Sequence, residues 1–131
     1  MRGLDIHCFN GPTYRHTMAE EVITSVYSLG YLDPANVVVE FIEMEDYAGV
    51  LVQDEYFIIR VNLELPDNML AEILCHELIH VYQYQKGMWS TLADGTHTWY
   101  GSTQFEDEYD NHPAEILAWG CQKYLAIMAE A

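Results

Sequence analysis

The segment His76-Glu77-Leu78-Ile79-His80 constrains this chain more than any other feature. Around it Leu70, Ile73, Leu74, Leu78 and Val81 recur at helical spacing, so the two histidines belong to an amphipathic helix. That helix is predicted to start at a cap on Asp67 or Asn68, behind Pro66, to run to about Gln85 and to stop at Gly87. At ~100° per residue, positions four apart share one face, one turn apart, so both imidazoles reach a single ion. Glu77 sits beside them without competing for the same coordination position, and it can accept a proton from a metal-bound water. A hydrolytic zinc site needs this division of labour: ligands hold the ion, the ion acidifies water, and a carboxylate receives the proton.

The rest of the chain supplies a frame for that helix. At 131 residues it has room for one domain with a real core, and half of its residues are apolar, enough to fold. Residues 4–9 alternate and read as a short strand ended by Asn10-Gly11-Pro12. Thr17 with Glu20 fits a capping box, and Val22, Ile23, Val26 and Tyr27 follow at helical spacing, which predicts a helix over 18–29 with Gly30 as its stop. Asn36 to Ile42 is a β-branched run. Val50–Gln53 and Tyr56–Leu63 read as a hairpin turning near Asp54-Glu55, with Arg60, Asn62 and Glu64 on a wet face. Residues 88–110 are turn-rich, with a short β-ribbon expected around Thr96 to Phe105. A last helix is expected from Pro113 to about Met128, because proline suits a first helical turn. The fold class expected is α+β: an N-terminal helix, a small antiparallel or mixed sheet, the histidine helix, a loop and a C-terminal helix.

The net charge is −16, with five Lys plus Arg in all. A surface so acidic repels nucleic acid and anionic membrane, since binding either depends on cations meeting phosphates. Glu106, Asp107, Glu108 and Asp110 form an acidic run which, near a cleft, favours Lys or Arg in a substrate. The cysteines, Cys8, Cys75 and Cys121, are odd in number and irregularly spaced, and form neither a disulfide framework nor a zinc knuckle. Cys75 reads as a buried structural thiol, and Cys8 is a remote candidate to cap the ion. No stretch has the length of a signal peptide or a membrane span, so the expected location is cytoplasmic, or the host cytoplasm for a phage-encoded chain.

A catalytic zinc takes a third protein ligand and keeps one position open. Three residues are candidates: Glu115, which opens the last helix, His97 in the intervening loop, and His112, which precedes Pro113. An acid in a helix's first turn is also favoured by the helix dipole alone, so position by itself leaves the choice open. Tyr82, Tyr84, Tyr100 and Tyr109 are candidates to stabilise an oxyanion, with Tyr109 preferred for its closeness to the last helix.

Taken together, His76-Glu77-Leu78-Ile79-His80-Val81-Tyr82-Gln83, Trp99-Tyr100-Gly101 and His112-Pro113-Ala114-Glu115-Ile116-Leu117-Ala118-Trp119 resemble the minimal gluzincin metallopeptidases of phages and bacteria. The resemblance covers about residues 56–122. It implies a zincin-like fold with His76, His80 and Glu115 as zinc ligands and Glu77 as catalytic base. It also implies that the strand near 56–63 is the edge against which an extended substrate pairs. Asp94-Gly95-Thr96-His97 more distantly resembles the third-ligand loop of the SprT-like peptidases, which would substitute His97 for Glu115. The expected activity is hydrolysis of peptide bonds in a peptide or protein substrate. The rival expectations are a zincin-like binding or inhibitor module acting through its acidic surface, and a zinc hydrolase with a non-peptide substrate.

Overall fold

A computed structural model describes residues 3–53, 56–91, 97–99 and 113–130; of 50–53, 89–91, 97–99, 113, 129 and 130 it gives the backbone. The alternating run near the start forms strand β1, Asp5–Phe9. The chain then turns through Asn10 and Gly11, both with positive φ, 63° and 71°. Glycine is required at the second of these for more than its φ: a Cβ there would lie 3.1 Å from Phe41 Cβ.

Helix α1, Thr13–Ser28, starts at Thr13 and not at Met18. The expected capping box is therefore not formed. Pro12, with φ −74° and ψ 146°, is the N-cap, and Thr17 already lies in the helix's second turn, where its hydroxyl is too late to cap it. Proline presets the backbone for the first turn, and Arg15 N–H closes it onto Pro12 O at 3.0 Å. Gly30, φ 89°, ends the helix as expected, its N–H on Tyr27 O.

Strand β2 spans Asn36–Ile42, β3 Ala48–Gln53 and β4 Tyr56–Asn62. β1 and β2 pair in parallel, as do β2 and β4, whereas β3 pairs with β4 antiparallel, giving a mixed sheet in the order β1-β2-β4-β3. The hairpin is the one expected, with Gln53 opposite Tyr56 and its turn at residues 54 and 55, outside the described residues. β3 begins two residues before Val50, because Ala48 and Gly49 also pair, with Val61 and Arg60. β4 stops at Asn62, whose side chain accepts Glu64 N–H at 2.9 Å and donates to the carbonyls of Met44 and Asp46.

One expectation is overturned. β4 is no edge: β2 and β3 flank it, and the edges of the described sheet are β1 and β3. The edge is what the family resemblance implies; the alternation of Arg60 and Asn62 reports an open face, not an open edge. Val37, Val39 and Phe41 of β2 and Ile59 and Val61 of β4 turn to the covered face and are fully buried. They meet Ala19, Ile23 and Val26 of α1 and Leu70, Leu74 and Leu78 of helix α2, Asp67–Gln85. The opposite face carries the Glu40–Arg60 pair, 3.4 Å apart and half-exposed.

α2 is capped by Pro66 without a side-chain hydrogen bond, so neither Asp67 nor Asn68 is the cap. Asp67 is occupied elsewhere, accepting from Arg15 Nε at 3.0 Å and from Tyr14 Oη. The C-terminus is a Schellman turn at Gly87, φ 74°: Gly87 N–H bonds Tyr84 O and Met88 N–H bonds Gln83 O. Strands β5, Trp89–Thr91, and β6, His97–Trp99, pair antiparallel; β6 falls within the ribbon expected around Thr96 to Phe105, whose residues 100–105 lie outside the described residues. Helix α3 spans Pro113–Glu130 and packs on α2 and α1. Among the described residues no helix is long and apolar enough to cross a membrane.

Candidate metal centre

α2 is covered on both sides, by the sheet and by α1 and α3, and every residue from Ile73 to Val81 is buried. His76, Glu77 and His80 are therefore inside the protein, at 3, 4 and 7% exposure, and polar groups so placed must find partners. α3 provides them. Pro113 starts that helix, and its first turn places Glu115, 7% exposed, against both imidazoles. Glu115 Oε1 contacts His80 Nε2, and Oε2 lies 3.3 Å from His76 Nε2. One ligand atom from each of the three residues lies within 4.8 Å of the other two.

The other ring nitrogens are also engaged. His76 Nδ1 donates to Gln122 Oε1 at 2.7 Å, and His80 Nδ1 donates to Gln83 Oε1 at 2.8 Å. An amide oxygen only accepts, so both Nδ1 atoms carry hydrogens, and each neutral ring turns the lone pair of Nε2 toward Glu115. Two lone pairs and a carboxylate facing each other repel unless a cation lies among them. Consistently, Glu115 Oε2 is buried and, among the described residues, has no hydrogen-bond partner. Around a tetrahedral zinc, with bonds of 2.0–2.1 Å, ligand atoms sit about 3.3 Å apart. The His76–Glu115 separation has that size, and the three residues, with a ligand atom each within 4.8 Å of the others, could hold an ion.

In the metal-free protein a proton takes the cation's place. Burial opposes charge on His80, but the hydrogen bond to Glu115 and the charges of Glu77 and Glu115 outweigh it, and its pKa is raised. Burial likewise works against an ionised Glu115, yet the two imidazoles hold it down at about 2. Glu77 goes the other way: burial pushes it up to about 6, with His80 and His76 only partly offsetting this. The cluster thus holds one carboxylate kept ionised and one poised to take a proton near neutral pH.

His76, His80 and Glu115, the ligand set that the resemblance implies, come together, with Glu77 buried on the same helix as the histidines. Of His97 the structure describes the backbone, in β6. His112, Tyr100 and Tyr109, the last expected to stabilise an oxyanion, lie outside the described residues. Tyr82 faces away from the cluster, lining an apolar cavity of about 270 Å³ with Val26, Leu78 and Leu125. Cys75 is a buried core thiol, as expected. Cys8 is on β1 with its Sγ toward His16 O, 3.9 Å away, and is not in the cluster.

Three neighbours escaped the sequence reading: Gln83, Gln122 and Trp119, whose ring lies 4.5 Å from that of His76. Spacing held the signal. Gln83 follows His80 by three, and Trp119 and Gln122 follow Glu115 by four and seven, so each shares a face with a ligand. Comparison with protein-family models, curated proteins and solved structures gives no match to this chain.

Proposed function

We propose that this chain is a zinc-dependent peptidase with a zincin-like arrangement, in which His76, His80 and Glu115 hold the ion and Glu77 is the general base. The observation that carries this reading is the buried convergence of two Nε2 lone pairs and an ionised carboxylate, with a second carboxyl of raised pKa alongside. The resemblance to minimal gluzincins favours the same four residues in the same roles. When bound, zinc would supply Lewis-acid activation of water and of a scissile carbonyl. Glu77 accepts a proton from the attacking water and returns it to the leaving amine, the two-way transfer that a carboxylate beside the ion can make. Gln83 and Gln122 hold the imidazoles in the tautomer that presents Nε2. For the substrate, β3, an edge strand of the described sheet, replaces β4: pairing with its backbone would align an extended peptide without demanding particular side chains.

Zinc content and cleavage of a diverse peptide library, measured on wild type, Glu77→Gln and Glu115→Ala, test the proposal. Glu77→Gln is expected to keep its zinc and lose ~10²–10⁴-fold in cleavage rate, while Glu115→Ala binds zinc far more weakly. Undiminished zinc in Glu115→Ala removes it as a ligand. Zinc binding by wild type without cleavage of any peptide overturns the peptidase and leaves a binding module, or a hydrolase of other substrates.

A further inference from the structure

Gln83 belongs to α2 yet holds both helices of the centre. Its side chain is fully buried. Nε2 donates to Ala114 O at 3.1 Å, and Oε1 accepts from His80 Nδ1 at 2.8 Å. A carbonyl oxygen has no proton to give, so the amide nitrogen must face Ala114 and the amide oxygen must face His80. The orientation of this one amide therefore dictates the tautomer of His80. Ala114 also directly precedes Glu115, so the same hydrogen bond fixes the height of α3's first turn along α2.

Resting on the metal-centre reading above, we propose that Gln83 is a positioning residue: by giving to Ala114 O and taking from His80 Nδ1, it registers α3 against α2 so that His80 Nε2 and Glu115 face one ion. The role needs a donor and an acceptor on one short group, which an amide has and a carboxylate lacks. Glutamate at 83 would place an acceptor against the Ala114 carbonyl, with no proton between them. Among the described residues Gln122 bonds His76 Nδ1 alone, through its oxygen, and a carboxylate there accepts equally well. The same Gln-to-Glu change is therefore expected to have opposite effects at the two positions. Sharing a role as amide neighbours of a histidine does not make the two glutamines equivalent.

The experiment compares wild type, Gln83→Glu, Gln83→Met and Gln122→Glu as full chains. Zinc dissociation constants come from competition with a chromogenic chelator, helix content from circular dichroism. Long-range ¹H–¹⁵N spectra of zinc-loaded, ¹⁵N-histidine wild type identify the protonated ring nitrogens. Gln83→Glu and the volume-preserving Gln83→Met should weaken zinc roughly 10–100-fold, the size of loss usual when a ligand's outer partner is removed. Gln122→Glu should bind as tightly as wild type or tighter. The wild-type spectrum should show His80 with its proton on Nδ1. Zinc binding by Gln83→Glu within twofold of wild type, or weaker binding by Gln122→Glu than by Gln83→Glu, overturns the role of Gln83 and leaves the metal centre standing. If both Gln83 variants lose their helical signal, the wild-type spectrum decides, and a His80 Nδ1 without a proton overturns the proposal. A wild type that binds no zinc overturns the metal centre itself.

Discussion

Arg15 offers the sharpest test of how helix α2 is anchored, because two of its interactions predict very different magnitudes. Its guanidinium enters the junction between β4 and α2: Nη1 donates to Leu63 O at 3.1 Å, Nη2 to Leu65 O, and Nε to Asp67 Oδ1 at 3.0 Å. The ion pair is the conspicuous contact, but the Asp67 side chain is 49% exposed while that of Arg15 is 9% exposed. A pair open to water on one side contributes about 0–1 kcal/mol. The two carbonyls differ: without Arg15 both lose their donor, and each such loss costs about 1–3 kcal/mol when the group is buried. Replacing Arg15 by Met, which keeps much of the apolar stem, should therefore destabilise by about 3 kcal/mol, offset in part by the apolar side chain. Asp67→Asn, which still accepts from Arg15 and Tyr14, should cost less than about 1 kcal/mol. Urea unfolding at pH 7, followed by circular dichroism, gives both numbers. For a chain of this length the first corresponds to a melting point roughly 10 °C lower. Equal losses for the two variants would refute the reasoning, since they would mean that the ion pair and not carbonyl satisfaction holds the junction.

Glu77 links activity and stability through one titrating carboxyl. Lifted by burial from 4.5 to about 6, it binds its proton more tightly folded than unfolded, so the metal-free protein loses stability as pH rises from about 4.5 to 6. At 1.36 kcal/mol per unit this amounts to about 2 kcal/mol, and metal-free Glu77→Gln should be more stable than wild type by that order at pH 7 in urea titration; a less stable variant contradicts the burial argument. With zinc bound, the neighbouring cation lowers this pKa below its metal-free value, so cleavage should fall about tenfold per pH unit once the base becomes protonated at acid pH, and a rate with no such acid limb removes Glu77 as the base. Among the glycines, Gly11→Ala combines a left-handed φ with a Cβ at 3.1 Å from Phe41, whereas Gly30→Ala meets nothing within 4 Å. Both should cost at least ~1 kcal/mol for the backbone, with Gly11 the larger loss by thermal unfolding; the reverse order would show that Phe41 gives way.

The sequence carried most of the candidate site because its residues lie on helices. Spacing there converts directly into geometry for His76 and His80, while Glu115 is singled out by the family resemblance. His76 and His80 share a face by arithmetic, and β2 is recognisable from its run of β-branched residues alone. Misreadings arose where a tertiary partner redirected a local preference. Thr17-x-x-Glu20 has the composition of a helix start, but Pro12 starts α1 earlier and Arg15 and Tyr14 then reach Asp67. For the same reason Asp67, a good cap by type, is drawn to α1. Strand order was not legible: nothing in Tyr56–Asn62 says that β2 will pair on one side and β3 on the other. Nor does a lone glutamine announce what it bonds. Gln83 became readable only when Ala114, thirty-one residues later, was seen to bring its carbonyl to it.

α2 reads as amphipathic, which suggests a polar side facing water, and this is where the sequence misleads most usefully. The stripe His76, Glu77, His80 and Gln83 is buried, because α3 lies over the side that the sheet does not cover. A buried polar stripe is unfavourable unless it is matched atom by atom, and α3 supplies the match with Gln122, the Ala114 carbonyl and the Glu115 carboxylate. The matching settles both Nδ1 atoms and the Gln83 amide and leaves Glu115 Oε2 as the buried acceptor of this network without a hydrogen bond. More hydrogen bonds from the protein could have closed it, yet both glutamines present their oxygens to the imidazoles and so turn two further lone pairs inward. Among the described residues, a network of hydrogen bonds left open at a convergence of acceptors suits a positive charge. The raised pKa of His80 lets a proton meet that need in the metal-free chain, and a divalent ion, with twice the charge and three candidate ligands in reach, would meet it under the proposed function.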